Sequence, residues 1–190
     1  GKVLNVLGAA IAKLRDNQEL GDIAQALGVG LGARYRAEDL RYERVIIMTD
    51  ADVDGAHIAA LLVTFFYAQM RPLIDGGHLF LAQPPLYRLK QGSATVYAVD
   101  DAEKERLVAE GIGGKGKVEV SRFKGLGEMD AKDLRATTMD PATRRLMRVT
   151  VAPEDEDDTA TLVERLMGRK PEARFAYIQE NARFAEDLDL

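Results

Sequence analysis

The chain has no cysteine among its 190 residues, which excludes a disulfide framework and a thiolate metal site. Its apolar runs fall far short of the roughly 20 residues that span a membrane, so no membrane association is expected. It also lacks an excess of basic residues: the formal net charge is −5, so any contact with nucleic acid must come from a local patch. No signal peptide, internal repeat or heptad pattern is visible, and a cytoplasmic setting is the default expectation.

What is present suits one α/β domain with room for a small appendage. The composition is 46% hydrophobic and 30% charged, which is ordinary for a packed globular domain. The first residue, Gly1, is not a natural start, so we expect the chain to be cut from a longer one.

The segment 44–58, which reads RVIIMTDADVDGAHI, organises the rest of the chain. Its apolar run 45–48 predicts a buried strand, and from Ile58 the apolar spacing becomes helical. Where the strand gives way to the helix, three acidic side chains alternate along the chain: Asp50, Asp52 and Asp54. In open α/β sheets, ligands bind at this edge, beyond the carboxyl ends of the strands.

Three carboxylates within five residues repel each other unless a cation neutralises them. Carboxylate oxygens without cysteine, and with one nearby histidine, favour a hard ion such as Mg²⁺ or Ca²⁺. Mg²⁺ usually takes one or two protein carboxylates and shares the rest of its shell with water and phosphate. The cluster therefore indicates phosphate-ester chemistry.

Other interpretations of this segment are simpler. The pattern D-x-D-x-D-G matches half of a calcium-binding EF-hand loop, but the twelfth position is Leu61 instead of Glu, and a strand precedes the loop instead of a helix. Asp54 could serve merely to cap the following helix, and Asp50 and Asp52 could merely line a solvated loop. His57 could contact phosphate or be a helix-surface residue without function.

A second segment, VEVSRFKGLGEM, combines cations with glycines. A short strand leads to Arg122 and Lys124, and Gly125 and Gly127 would let the backbone approach a ligand closely. Such a loop suits contact with a DNA backbone, and a plain surface turn is the alternative. Two further glycine-rich stretches are interpreted differently: 28–32 follows a helix and is expected to end it, and 111–116 is expected to be a connector.

The remaining patterns predict alternating strands and helices. We expect a helix capped by Asn17, and a last helix over 171–181 with Phe175 and Ile178 facing inward. Further strands are predicted over 78–83, 86–89, 95–99 and 146–151. Further helices are predicted over 101–110, after Asp130, from Asp140–Pro141 onward, and after the acidic run 154–158.

Taken together, the motifs resemble the Toprim domain in the B subunits of bacterial type IIA DNA topoisomerases, DNA gyrase and topoisomerase IV. The resemblance rests on GKVLNV, LRYERVIIMTDADVDGAHI, GHLFLAQPPLYRL, RFKGLGEMDAKDL and TTMDPATRRLMRV, which follow in order over nearly the whole chain. It implies a Rossmann-like α/β fold with a mostly parallel central sheet, helices on both faces and a C-terminal helical tail. We expect a Toprim core over 1–110, the KGLGEM segment and remaining sheet over 111–153, and the tail over 154–190.

The resemblance also implies a function. The family cleaves both DNA strands through a tyrosine of the A subunit, passes a second duplex and reseals the break, using ATP bound elsewhere in the full-length B subunit. The implied partners are DNA and the A subunit in an A2B2 complex. A Mg²⁺ ion would polarise the scissile phosphate and steady the leaving oxygen. The implied metal-binding and catalytic residues are Asp50, Asp52 and Asp54, and the expected DNA-binding residues are Lys2, Lys124, His57 and Arg122.

The family pattern is incomplete in this chain. The family's glutamate ligand, in an E-G-D-S-A motif, and its ATP-binding domain lie upstream of residue 1, so the chain alone is expected to be inactive and to hold Mg²⁺ weakly. None of the six tyrosines lies in a context that suggests a nucleophile. The short distance between LAQPPLY and RFKGLGEM leaves no room for the large insertion of some gyrase B subunits, which favours topoisomerase IV. A docking module for the A subunit and another Toprim enzyme, a primase or nuclease, are the competing hypotheses.

Overall fold

The computed structural model describes residues 2–10, 13–14 and 16–184, and it divides the chain into two compact units. The first unit comprises the described parts of Gly1–Glu43, Ala60–His78 and Val149–Leu190. The second comprises Arg44–Ala59 and Leu79–Arg148. Residues 185–190 of the expected tail lie outside the described residues.

In the first unit, helix α1 covers Gln18–Leu27 and confirms the predicted boundaries. Asn17 caps it, because its Oδ1 accepts the Leu20 backbone N–H at 2.9 Å. Gly28 ends it in the left-handed conformation, with φ of +82°. A Cβ at Gly28 would also lie 2.8 Å from the carbonyl oxygen of Asp39, so both backbone conformation and space favour glycine there.

The core of the first unit is built largely by two further helices. Helix α2 covers Val53–Gln69, of which residues 60–69 belong to this unit, and α3 covers Arg71–Asp75. Their most buried side chains are apolar and follow the helical spacing: Leu61, Phe65, Phe66, Met70, Leu73 and Ile74. Arg71 donates to both carboxylate oxygens of Glu156, and these hydrogen bonds connect α3 to the C-terminal helix that begins at Glu156.

The C-terminal helices are α6, Glu156–Met167, and α7, Pro171–Asn181. The acids at the start of α6 lie at a helix N-terminus, as the sequence predicts. The prediction for α7 is wrong: Phe175 and Ile178 are 61% and 62% exposed. Tyr177 of the same helix is half-buried instead, and its ring centroid lies 5.2 Å from the Arg165 guanidinium of α6, because α7 turns a different side towards its neighbour.

The second unit contains the strands of the described chain: β1 Val45–Ile47, β2 Leu79–Ala82, β3 Tyr87–Gln91, β4 Ala94–Ala98, β5 Glu119–Arg122 and β6 Leu146–Arg148. One sheet has the order β1-β2-β6. The pair β1–β2 is parallel, with Val45 opposite Leu79, whereas β6 joins β2 antiparallel. The α/β class is confirmed, and among the described strands the one parallel pair is β1–β2, whose connecting chain includes helices α2 and α3.

The other sheet has the order β4-β3-β5 and is antiparallel throughout. The turn between β3 and β4 contains Gly92 at φ of +61°. Helix α4 covers Asp101–Glu110, as predicted, and is capped by Asp100. Tyr87, Leu89 and Ala98 form the buried centre of this sheet.

Helix α5 covers Ala131–Leu134 and continues into a π-helical turn, Arg135–Met139. The helix predicted to start at Asp140–Pro141 is absent, and a turn takes its place. The Asp140 side chain accepts the Ala142 N–H at 2.9 Å, a local bond that competes with helix formation. None of the helices in the described part of the chain is long and apolar enough to cross a membrane.

Candidate metal and nucleic-acid site

Asp52 lies immediately before helix α2 and performs the capping that the sequence pattern allows for Asp54. Its Oδ1 accepts the backbone N–H of Gly55 at 2.7 Å, which satisfies one of the unpaired donors at the start of the helix. Asp54 lies in the first turn, where a negative charge favours the helix dipole. A Cβ on Gly55 would lie 2.0 Å from the carbonyl oxygen of Asp50, so this position has room only for glycine.

Asp50, three residues after β1, contacts the KGLGEM segment. Its Oδ1 accepts the backbone N–H of Leu126 at 2.7 Å. Its carboxylate also lies against Gly125, where a Cβ would come within 2.9 Å of Cγ and Oδ1. Asp50 after β1 and Leu126 of the KGLGEM segment, which lie 76 residues apart, therefore meet in one place.

The loop itself is a compact turn with two buried ends. The Glu128 Oε2 accepts the backbone N–H of Lys124 at 2.8 Å, which closes the turn on itself. Phe123 and Met129 flank it and are only 7% and 9% exposed. The side chain of Lys124 is exposed on this anchored turn, in a position to contact a ligand in solution.

A polar network lies behind the turn. The buried carboxylate of Asp133 accepts hydrogen bonds from Arg88 Nη1 and from the Tyr97 hydroxyl, both at 2.8 Å. Burial, and then the hydrogen bond to Asp133, raise the pKa of Tyr97 to about 12. The Arg88 guanidinium also lies 5.8 Å from the centroid of the Phe123 ring, next to Lys124 in the chain.

Near this network, a cavity of about 300 Å³ is lined by Gln83, Pro85, Tyr97, Val99, Ala136, Thr137, Thr143 and Arg145. Its polar groups are largely engaged within the protein. Arg145 donates to both oxygens of Glu103 at 2.8 and 2.9 Å, and the Thr143 hydroxyl donates to the Ala136 carbonyl. The cavity therefore offers few groups that could recognise a ligand.

Two family models match the chain. The Toprim domain matches residues 1–84, and the carboxyl terminus of the DNA gyrase B subunit matches residues 115–179. The chain is 63% identical to the B subunit of DNA topoisomerase 4 from Caulobacter vibrioides, over 100% of this chain and 27% of that protein. It is 54% identical to the protein of the same name from Bartonella bacilliformis, over 100% of this chain and 28% of that protein. It is 47% identical to the B subunit of DNA gyrase from Halalkalibacterium halodurans, over 100% of this chain and 29% of that protein.

Residues 1–84 belong to the Toprim family, and the whole chain is similar to one part of topoisomerase B subunits. This Toprim chain spans between a quarter and a third of the length of these relatives, 27% to 29%. Both segments singled out by the sequence, TDADVDG and KGLGEM, fall within the ranges that the two family models match.

The Toprim aspartates do not form a closed metal cage. Within residues 2–10, 13–14 and 16–184, no three His, Cys, Asp or Glu side chains gather into a set that could hold an ion. The donors still suit Mg²⁺ shared with other ligands, because the ion usually takes one or two protein carboxylates and completes its shell with water and phosphate. Asp50 and Asp52 each use Oδ1 to accept a backbone N–H.

The other site residues predicted from the sequence are exposed. His57 is exposed on α2, and Arg122 is exposed at the end of β5, two residues before Lys124. Lys2 is exposed in the first unit, whereas the aspartates and Lys124 belong to the second. The structure thus brings Asp50 together with the turn that carries Lys124.

Two positions in this turn have roles that the sequence pattern does not predict. Gly125 is expected from the sequence to admit an external ligand, but the group that lies against it is the Asp50 carboxylate. Leu126 has no predicted role, and its contribution is its backbone N–H. A backbone donor leaves no signature in the side-chain pattern, although the glycine next to a lysine does mark the position as one of close approach.

Proposed function

We propose that this chain is the Mg²⁺-binding part of a type II DNA topoisomerase B subunit, of the topoisomerase IV kind. The observation that carries the proposal is the hydrogen bond from the Leu126 N–H to Asp50. It supports a single site in which Asp50 would bind the metal ion and Lys124, on the same turn as Leu126, would bind phosphate. The names of the relatives support the topoisomerase IV assignment, since those at 63% and 54% identity carry it and the gyrase relative is at 47%.

In this proposal Asp50 and Asp52 hold the ion through their Oδ2 atoms, and Asp54 adds negative charge in the first helical turn. When bound, the ion supplies Lewis-acid stabilisation of the scissile phosphate and the leaving oxygen. Asp50 is oriented for this by the Leu126 N–H, and Asp52 by the Gly55 N–H. The chain's own contribution is therefore to hold two carboxylates in fixed directions beside the DNA backbone.

Cationic groups would bind that backbone. Lys124 and Arg122 are exposed close together in sequence at the end of β5, and such side chains attract phosphate without reading sequence. His57 and Lys2 are proposed to contribute further DNA contacts. A local patch of this kind is needed because the formal charge of the chain, −5, does not attract DNA.

The partners follow from the family. We propose that DNA and a topoisomerase A subunit, which supplies the nucleophilic tyrosine, bind the complete B subunit in a cytoplasmic A2B2 complex, with ATP bound outside this chain. We further propose the division of the chain into a Toprim core over 1–110, the KGLGEM segment over 111–153 and a helical tail over 154–190.

The proposal is tested by Asp50→Ala and Asp52→Ala, made in the full-length B subunit and assayed with the A subunit. Both substitutions should abolish Mg²⁺-dependent DNA cleavage, because each removes a ligand of the ion. Glu119→Ala, at an exposed acidic residue of β5, is the control and should cleave normally. Assembly with the A subunit, followed by size-exclusion chromatography, should survive in all three variants.

The competing functions give different results. Normal cleavage by both aspartate variants would remove the catalytic assignment, and loss of assembly in them would favour a docking module. Nucleotide polymerisation, or cleaved ends that are never resealed, would point to a primase or a nuclease.

A further inference from the structure

We propose that the backbone at Gly125 and Leu126 is the positioning element of the Asp50 carboxylate, and that it couples occupancy of the cation site to the placement of Lys124. The inference rests on the proposed function, because it assigns a purpose to the turn only if Asp50 binds an ion. It concerns residues that do not touch the ion themselves.

The absence of a side chain at position 125 is the steric part of this positioning. A Cβ there would lie 2.9 Å from both Cγ and Oδ1 of Asp50 and 3.2 Å from Oδ2. The backbone of Gly125 is extended, with φ of −169° and ψ of 175°, so conformation alone does not demand glycine. Glycine is therefore required for the room that it leaves to the carboxylate.

Gly127 provides a contrast within the same turn. A Cβ at Gly127 would meet nothing within 4 Å. The two glycines of KGLGEM consequently have different uses: one admits Asp50 and the other does not contact it. This contrast is what separates a carboxylate-positioning role from a general need for glycine in the turn.

The Leu126 N–H is the hydrogen-bonding part of this positioning. Leu126 is the first residue of the short 3₁₀ turn Leu126–Glu128, so its N–H is not needed by the turn and is donated to Asp50 Oδ1 at 2.7 Å. A short hydrogen bond to an ionised acceptor is among the stronger ones in proteins. It fixes Oδ1 and leaves Oδ2 available for a cation, as outer-shell partners of metal ligands commonly do.

The same turn carries the DNA-binding lysine. Glu128 Oε2 holds the Lys124 N–H at 2.8 Å, and the Glu128 N–H donates to the Gly125 carbonyl at 3.2 Å. When a bound cation restricts the motion of the Asp50 carboxylate, the carboxylate in turn restricts the backbone of Leu126. Because the turn is closed by its own hydrogen bonds, the backbone of Lys124 is restricted as well. Cation binding and ordering of the phosphate contact become one event.

Four substitutions in the full-length B subunit test this positioning in two matched pairs. Gly125→Ala places a methyl group against the carboxylate, whereas Gly127→Ala places one in open space. Leu126→Pro removes the N–H at a first-turn position that tolerates proline, whereas Leu126→Ala removes the side chain and keeps the N–H. Mn²⁺ affinity is measured by electron paramagnetic resonance without nucleotide or DNA, so that the readout does not depend on activity.

The first member of each pair should bind Mn²⁺ about tenfold or more weakly, the usual cost of losing an outer-shell partner. The second member should bind it as the unsubstituted protein does. If Gly125→Ala and Leu126→Pro keep normal affinity while Asp50→Ala loses it, the positioning inference is overturned and the proposed function survives. If Asp50→Ala also binds normally, the proposed function fails as well.

Amide hydrogen exchange tests the coupling without any substitution in the turn, so the test remains valid even if a substituted turn does not fold. In the unsubstituted protein, Mn²⁺ or Mg²⁺ should slow amide exchange over residues 124–129, and in Asp50→Ala the same ions should leave it unchanged. If the cation does not change the amide exchange rates of these residues in the unsubstituted protein, the coupling to Lys124 is overturned.

Discussion

Asp133 and Arg88 form a charge pair in which the carboxylate is almost completely buried and the guanidinium is partly exposed. The Nη1–Oδ2 distance is 2.8 Å, and the two side chains are 8% and 34% exposed. The same Arg88 Nη1 lies 3.6 Å from Asp130, whose side chain is 80% exposed. One cation thus contacts two aspartates in very different environments, next to the turn that approaches Asp50.

This contrast predicts a large difference between two substitutions. Asp133→Ala should lower the free energy of unfolding by about 2–3 kcal/mol, because it leaves the Tyr97 hydroxyl and one Arg88 donor without their buried acceptor. Asp130→Ala, the control, should cost less than about 1 kcal/mol, as exposed ion pairs do. Urea denaturation measures both, and equal costs would contradict the assignment of Asp133 as the buried anchor.

Tyr97 should be among the last tyrosines of the chain to ionise. Its pKa is raised from 10.0 to about 12, first by burial and then by the hydrogen bond to Asp133. Because the unfolded tyrosine would ionise first, its contribution to stability is complete below pH 10 and is lost as the pH rises through 12. Absorbance titration at alkaline pH should show a late step that disappears in Tyr97→Phe; persistence of that step would assign it to another residue.

Glu103 should make stability depend on pH on the acid side. The Arg145 hydrogen bonds, helped by the Val99 N–H, hold the pKa of this carboxyl below its ordinary value of 4.5. Its contribution is therefore present above pH 4.5 and is lost as the pH falls through the lowered pKa. Glu103→Gln should reduce the unfolding free energy at neutral pH by about 1 kcal/mol and flatten the acid limb.

The control for Glu103 is Glu110→Gln. Glu110 also pairs with an arginine, Arg106 at 3.0 Å, but both side chains are more than half exposed, at 58% and 54%. Denaturation between neutral and acid pH should show little change in this variant. If both variants flatten the curve alike, then burial of Glu103 does not set the effect.

Lys124→Ala should weaken DNA binding by the reconstituted complex and give a shallower dependence on salt. Each lysine–phosphate contact contributes a slope of about one in log–log form, because it releases a counterion. Lys115→Ala, at an exposed lysine of the glycine-rich connector, should leave the slope unchanged. Fluorescence anisotropy over a range of salt concentrations distinguishes the two, and equal slopes for Lys124→Ala and the unsubstituted protein would count against a phosphate contact.

Much of the local structure follows from short-range patterns. The cap at Asn17, the left-handed Gly28 and the helix 101–110 depend on neighbouring residues alone, and the structure confirms them. The inward orientation predicted for Phe175 and Ile178 is wrong, because which face of a helix is covered depends on what the rest of the chain places beside it. The helix predicted at Asp140–Pro141 does not form, because the aspartate side chain serves a tight turn instead.

The sequence by itself determined which chemical groups are available: carboxylates at the end of a strand, cations beside glycines, and a resemblance to a family that has both motifs. Only the tertiary structure decided how these parts are used. It assigned the helix cap to Asp52 and placed Gly125 and Leu126 against Asp50, which lies 76 residues away from Leu126. Residue types are fixed locally, whereas a contact between distant backbone and side-chain atoms exists only after the sheets and turns have packed.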